Sequence, residues 1–128
     1  MNQKAEELKR RTAAFAKLVI ALTEKVPTTQ AGRTIAGQLV DAATSVAANY
    51  RAACRARSRR EFAAKIGLVA EEADESLGWL TMLVDTNLLG ADVVKSALEE
   101  ADELTAIFSA SHRTASRPLT PKSPPSNL

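Results

Sequence analysis

Apolar residues recur every three or four positions in four stretches of this chain, a spacing that places them on one face of an α-helix. The patterns predict helices over residues 4–24, 31–55, 59–86 and 92–113. The third stretch carries the strongest stripe, which consists of Phe62, Ile66, Val69, Ala73, Leu77, Leu80 and Val84. Glycine and proline are scarce before residue 117, whereas an all-β protein needs turn residues at short intervals. The pattern therefore predicts an all-α fold.

Local signals separate the four predicted helices. Pro27 ends the first helix, because proline cannot continue a helix without losing a hydrogen bond. Ser58, followed three residues later by Glu61, has the spacing of a capping box and predicts a break between the second and third helices. Asn87 and Gly90 predict the end of the third helix, since both residue types tolerate the left-handed backbone that closes a helix.

Four helices joined by short loops lie antiparallel to their neighbours, which predicts an up-down-up-down four-helix bundle. A chain of 128 residues has room for one such domain, which we place at residues 1–115. Residues 116–128 contain four prolines among Ser, Thr and Lys and have no apolar face. We therefore predict a disordered Pro-rich tail, with a PxxP ligand for a proline-binding domain as the alternative.

The composition also predicts a compartment. Cys54 is the only cysteine, so the chain cannot form an internal disulfide, which suits a reducing cytoplasm. The longest aliphatic run, residues 18–22, is far shorter than the roughly 20 apolar residues that span a bilayer. The N-terminal residues have no apolar core typical of a signal peptide. We expect a cytoplasmic protein with no membrane partner.

The reactive side chains do not complete a catalytic set. His112 is the only histidine and has no Asp or Glu three residues before it, so the Glu-x-x-His pairs of di-metal bundles are missing. No glycine-rich phosphate loop and no G-x-S-x-G turn occurs. The carboxylates at Glu71, Glu72, Asp74 and Glu75 fit a solvated or salt-bridged helix face better than an acid–base pair. We expect no metal, no cofactor and no enzymatic activity.

Positive charge is concentrated in the first half of the chain. Residues 1–65 contain 13 Lys and Arg against 5 Asp and Glu, whereas residues 66–128 contain 4 against 10. The densest cluster surrounds the predicted turn between helices two and three and comprises Arg51, Arg55, Arg57, Arg59, Arg60 and Lys65. Arginine forks match phosphate oxygens, so this cluster predicts nucleic-acid binding, with Tyr50 as a candidate for stacking on a base. The alternatives are a solubilising corner, or a seam that pairs with the acidic fourth helix of a neighbouring copy.

The central part of the chain resembles a known family. The segments that carry this resemblance are Gln38-Leu39, Ala48-Asn49-Tyr50, the stretch from Arg51 to Ser58, and Glu71-Glu-Ala-Asp-Glu-Ser-Leu-Gly-Trp-Leu80. In their order and spacing the chain is similar to four-helix-bundle proteins encoded in 23S ribosomal RNA intervening sequences. The resemblance implies a ring of subunits, commonly a pentamer, with no known enzymatic activity. A related branch, the accessory variability proteins of diversity-generating retroelements, implies association with nucleic acid and with a reverse transcriptase.

Two functional hypotheses follow. In the first, a homo-oligomeric and pentameric bundle binds RNA or DNA through the basic cluster, or serves a reverse transcriptase as an accessory protein. In the second, the bundle is a structural protein–protein interaction module without nucleic-acid affinity. Two further residues are predicted to be structural: Asn49 fixes helix register from the interior, and Trp79 anchors the core or a subunit interface.

Overall fold

The computed structural model describes residues 2–118, and this part of the chain contains four α-helices and no strand. The helices are α1 (Gln3–Thr23), α2 (Gln30–Cys54), α3 (Arg59–Asp85) and α4 (Ala91–Ala115). Each helix packs against the next, and α4 also contacts α1, so the four form a closed antiparallel bundle. The predicted fold is confirmed. The tail predicted after α4 lies outside the described residues from 119 onward.

Side chains that accept backbone hydrogen bonds set the starts of the first three helices. The Asn2 Oδ1 accepts from the backbone N–H of Lys4 at 2.8 Å, and the Thr29 Oγ1 accepts from that of Gly32 at 3.0 Å. The Ser58 Oγ accepts from the Glu61 N–H at 3.0 Å, as the capping-box pattern predicts. In a capping box the Glu61 carboxylate would accept in return from the N–H of Ser58. Here it accepts instead from the backbone N–H of Arg57 at 3.3 Å.

The loop between α3 and α4 ends the third helix at one left-handed residue. Asn87 has a φ of 61°, and the next N–H, of Leu88, donates to the Leu83 carbonyl at 3.0 Å. Together with the bond from Asn87 N–H to the Val84 carbonyl, this is the Schellman pattern. The prediction for Gly90 was wrong: its φ is −73° and it is the N-cap of α4, so it starts a helix and does not close one.

The core is built largely from small and branched side chains. Alanines lie fully or almost fully buried on α2, α3 and α4: Ala42, Ala43, Ala53, Ala73, Ala97 and Ala101. Alanine lets helix backbones approach closely, which suits the extensive packing of α3 against both α2 and α4. On α3 the predicted stripe drifts towards its end, since Leu83 is buried where Val84 was expected and Val84 is only half-buried.

Asn49 and Trp79 occupy the partly buried layer around this core. Trp79 packs against the core as predicted, and its Nε1 is buried without a hydrogen-bond partner within residues 2–118. Asn49 is half-buried, and its side chain makes no hydrogen bond to another helix in the described part of the chain. Its predicted role in fixing register therefore has no bond to support it.

Candidate nucleic-acid interface

The antiparallel order of the helices brings two N-termini and two C-termini to one end of the bundle. One groove shows this directly, since it is lined by Lys4 of α1, Cys54 of α2, Phe62 of α3 and Ser111 of α4. We call this region the basic end, because its exposed cations come from all four helices: Lys4, Arg51, Arg55, Arg57, Arg59, Arg60, Arg113 and Arg117. The carboxylates nearby in the sequence are Glu6, Glu7 and Glu61.

The structure brings five of the six predicted basic residues to this surface as exposed side chains, and Lys65, one turn further along α3, is half-buried. Arg51, Arg55 and Arg60 make no ion pair or side-chain hydrogen bond to residues 2–118. Their guanidinium groups are therefore available to an anionic ligand.

Two of the predicted arginines have partners within the chain. The Arg57 Nε lies 3.6 Å from a Glu61 carboxylate oxygen, with the arginine side chain 90% exposed. Such an exposed pair is weak and easily exchanged for a phosphate. The Arg59 Nη2 donates to the carbonyl of Thr114 at 3.0 Å and to that of Arg117 at 3.2 Å. Arg59 therefore supplies hydrogen-bond donors to carbonyl groups at the C-terminus of α4 that have no partner within the helix. This structural role was missing from the sequence-based prediction.

Tyr50 lies in the core and not on the surface. Its side chain is 5% exposed, and its ring packs against Phe108 with the ring centroids 5.2 Å apart. Burial raises the pKa of the Tyr50 hydroxyl, with a further contribution from the adjacent Cys54 side chain. This placement does not suit the predicted stacking on a nucleic-acid base. The sequence signal was proximity to the arginines, but residue 50 falls on the buried stripe of α2 with Val46 and Ala53.

The sequence-based prediction missed three cations of the basic end. Lys4 is close to the start of the chain, and Arg113 and Arg117 lie at or just beyond the last turn of α4. The antiparallel order was the signal that could have found them, because it joins the start of α1 and the end of α4 to the turn between α2 and α3.

Three adjoining depressions cross the basic end and share lining residues. The first, of about 570 Å³, extends from Leu8 and Tyr50 to Phe62 and Ser111. The second, of about 490 Å³, shares Phe62 and Ser111 and continues to Arg59. The third, of about 430 Å³, shares Arg59 and Ala115 with the second and is otherwise lined by Arg60, Ala63, Ser116 and Arg117. We call these three adjoining depressions the end groove.

Comparison with known proteins gives the family. A family model described as 23S rRNA-intervening sequence protein matches residues 4–110. The chain belongs to this family. Its fold is similar to that of a solved protein of unknown function from the S23 ribosomal protein family of Bacteroides thetaiotaomicron, with a TM-score of 0.75 and 25% identity. That similarity covers 82% of this chain and 97% of the other. No curated protein matches the chain.

Other candidate sites in this 23S rRNA-intervening sequence protein are structural. His112 is half-buried against α3, where a Cβ on Gly67 would lie 3.0 Å from its Nε2, so the glycine makes room for the imidazole. Across the α1–α4 contact, Arg11 pairs with Glu100 and Glu103, and these hydrogen bonds raise the pKa of the guanidinium. Within residues 2–118, no group of three His, Cys, Asp or Glu side chains is placed to hold a metal ion.

The acidic residues of α3 form no salt bridge to α1 or α2 in the described chain, so the solvated face is the one of the two sequence-based alternatives that the structure fits. Glu71 and Glu75 are exposed, and no basic residue of α1 or α2 pairs with them in the described chain. Burial, followed by the neighbouring Glu75, raises the pKa of the Glu72 carboxyl. None of the helices in residues 2–118 has both the length and the apolar content that a membrane span requires.

Proposed function

We propose that this member of the 23S rRNA-intervening sequence protein family is a homo-oligomeric, non-enzymatic nucleic-acid-binding protein, and that its basic end contacts phosphates. The observation that carries this proposal is the convergence of exposed cations from all four helices on one end of the bundle. Five of these cations lie on the helices, and Arg55, Arg57 and Arg117 lie within two residues of a helix end, so the ends of the packed helices position them.

The chemistry of the cluster favours phosphate as its ligand. Guanidinium groups bind phosphate oxygens through paired N–H donors, and every phosphate neutralised releases counterions from the nucleic acid. Arg51, Arg55 and Arg60 have no internal partner to give up, so binding would cost them little beyond side-chain order. The family's name refers to a ribosomal RNA, but the proposal rests on the charges of this chain.

Self-association is the second part of the proposal. Leu68 and Met82 on the outer surface of α3 are 41% and 43% exposed, and the Trp79 indole N–H between them in sequence lacks an acceptor within residues 2–118. A second copy packed on this face would cover these apolar side chains. The resemblance noted above implies a pentamer and a reverse transcriptase as protein partner. A ring of basic ends would bind one polyanion more tightly than a single copy could.

The experiment is a titration of fluorescently labelled structured RNA, with duplex DNA as comparison, at two salt concentrations. The test variant carries Arg51→Glu, Arg55→Glu and Arg60→Glu, which leaves the structural bonds of Arg59 intact. Each lost contact should lower the log–log salt slope on duplex DNA by about 0.9, so three should lower it by roughly 2 to 3. The control variant, Lys17→Glu, Lys25→Glu and Lys95→Glu, changes the net charge equally at exposed positions away from the basic end.

The two variants separate the effect of the cations at the basic end from the effect of the net charge of the protein. The proposal holds if the arginine variant loses binding while it keeps the wild-type circular dichroism and sedimentation behaviour, and the lysine variant still binds. Equal losses in both variants would mean that overall charge alone is responsible. Absence of binding by the wild-type protein at low salt would refute the proposal.

A structural interaction module without nucleic-acid affinity is the second candidate, and one observation favours it. Glu71, Asp74 and Glu75 form an exposed acidic surface on α3 that has no ion pair within the described residues. The basic end of one copy could pair with this surface of another. In that case assembly weakens as salt rises, RNA does not bind, and sedimentation at two salt concentrations measures the difference.

A further inference from the structure

We propose that the end groove binds unpaired nucleotides, with the bases on its apolar floor and the phosphates on its cationic rim. This inference rests on the proposed function and narrows its ligand to single-stranded or looped nucleic acid. The groove meets the chemical requirements of such a strand because it combines apolar surface, one partly accessible aromatic ring and flanking cations in three adjoining depressions.

The floor of the groove is apolar and includes the Phe62 ring. Phe62 is half-buried and lines both of the larger depressions, so it lies where they join. Leu8 lines the floor on one side and Ile107 on the other, and both are half-buried. An unpaired base offers a flat π-face that can stack on such a ring whatever its sequence. Phe62 therefore takes the stacking role that the sequence assigned to Tyr50.

The rim of the groove is cationic along its whole length. Lys4, Lys9 and Arg55 line the first depression, and the third lies against Arg59, Arg60 and Arg117. Lys9 forms an ion pair with Glu6, whose carboxylate lies 3.1 Å from the ammonium group. No carboxylate among the described residues lines any of the three depressions. A polyanion therefore suits the groove better than a neutral or acidic-rimmed partner would.

Another groove shows that this charge pattern is specific to the basic end. The depression between α1 and α4 has a comparable volume of about 320 Å³, but Glu99, Glu100 and Glu103 line it. The two larger parts of the end groove, about 570 Å³ and about 490 Å³, fall within the range of roughly 300 to 1,000 Å³ typical of ligand pockets. A duplex keeps its bases stacked inside and would leave the apolar floor without contacts. The groove therefore favours strands whose bases are unpaired.

The test compares a fluorescent single-stranded RNA oligonucleotide with an RNA duplex of the same sequence. Phe62→Leu keeps an apolar side chain but removes the ring. Ala110→Leu fills the second depression from an exposed position on α4, and Ala106→Leu is the matched control at an exposed position on the same helix that does not line the groove. We expect Phe62→Leu and Ala110→Leu to weaken single-strand binding by about 5- to 50-fold and to leave duplex binding within about 2-fold.

The outcomes distinguish this inference from the proposed function. If the wild-type protein binds neither ligand, the proposed function itself fails. If it binds the duplex as tightly as the single strand, and both groove variants bind like wild type, the inference is overturned while the phosphate surface stands. Binding to anionic phospholipid vesicles that Ala110→Leu abolishes, without single-strand binding, would assign the groove to a lipid and also overturn it. A loss in Ala106→Leu equal to that in Ala110→Leu would likewise contradict a role for the groove.

Discussion

The two ends of the bundle are built in different ways. At the end that holds the α1–α2 and α3–α4 loops, here called the closed end, Val26 and Leu89 are buried and the Schellman pattern satisfies the end of α3. Its exposed charges are mixed: Glu24, Lys25, Arg33, Asp85, Asp92 and Lys95. The basic end instead has eight exposed cations among residues 2–118, and an open groove.

The two ends are therefore expected to differ in what they contribute, the closed end to stability and the basic end to binding. Like charges held close together repel, so the basic end costs the fold some stability that the mixed charges of the closed end do not. A cluster of cations with few neighbouring carboxylates, beside an open groove, is typical of a surface that binds an anionic ligand. We therefore expect substitutions at the closed end to change stability alone, and substitutions at the basic end to change binding as well.

The largest expected effect on stability is that of Gly32→Ala at the closed end. A Cβ on Gly32 would lie 2.1 Å from the Pro27 carbonyl oxygen, so the loop or the first turn of α2 has to move. We expect a loss of about 1 to 3 kcal/mol in the free energy of unfolding, measured by urea denaturation. Gly37→Ala, on the same helix with nothing within 4 Å of its Cβ, should gain about 0.5 to 1 kcal/mol.

Nucleic-acid binding by Gly32→Ala and Gly37→Ala provides a second test of the difference between the two ends. Both variants should bind nucleic acid like the wild-type protein at temperatures where they are folded, because neither residue lies at the basic end. A Gly32→Ala protein that is as stable as wild type would show that the close approach to Pro27 is not a constraint. Weakened binding by folded Gly32→Ala would contradict the separation of the two ends.

Ser58→Ala tests the basic end with a smaller effect. Its loss removes the acceptor for the Glu61 N–H and should cost about 1 kcal/mol, the usual contribution of an N-cap side chain. The first turn of α3 carries Arg59 and Arg60, so its fraying should also weaken nucleic-acid binding by a few fold. Ser58→Asn keeps an acceptor and should restore both properties. A stability loss without any change in binding would mean that the first turn does not position the arginines.

The sequence predicted the elements of this fold well, because helix periods, caps and turn residues are local features. Ser58 and Glu61 located the break between α2 and α3, although no proline or glycine lies there. Gly90 was misinterpreted because glycine suits both a left-handed C-cap and an extended N-cap, and only the loop geometry decides between them. The position of Asn87 immediately after α3 was the stronger signal.

The candidate site was only partly predictable, because it depends on what the bundle brings together. The basic cluster was visible as a run in the sequence, but the structural bond of Arg59 to α4 requires the packed helices. The end groove has no sequence signature, since its walls come from side chains more than a hundred residues apart, such as Leu8 and Ser111. Tyr50 is buried although it lies beside the arginines in sequence, whereas Phe62 is only half-buried, because the helix face and not the distance along the chain decides which ring a ligand can reach.

The smallest expected effect concerns the middle of the bundle, between the two ends, where Glu72 is half-buried near Glu75 and Asp41. Burial and then Glu75 raise the pKa of the Glu72 carboxyl above its value in the unfolded chain. The folded protein therefore binds more protons than the unfolded chain between these two pKa values, so the contribution of Glu72 to stability falls as pH rises through this window. Glu72→Gln keeps the shape of the side chain and removes the charge.

We expect Glu72→Gln to raise the thermal midpoint by a few degrees at pH 7 and by less at pH 4, because acid suppresses the ionisation of the wild-type carboxyl that burial and Glu75 disfavour in the folded protein. Glu99→Gln is the control, since Glu99 is exposed on α4. The comparison of the two variants at both pH values separates the effect of the half-buried Glu72 carboxyl from the general effect of acid on the chain. An equal gain for both variants at pH 7 would attribute the effect to net charge. A gain confined to Glu72→Gln would instead assign the cost to the partly buried carboxylate between α2 and α3, away from the surface proposed to bind nucleic acid.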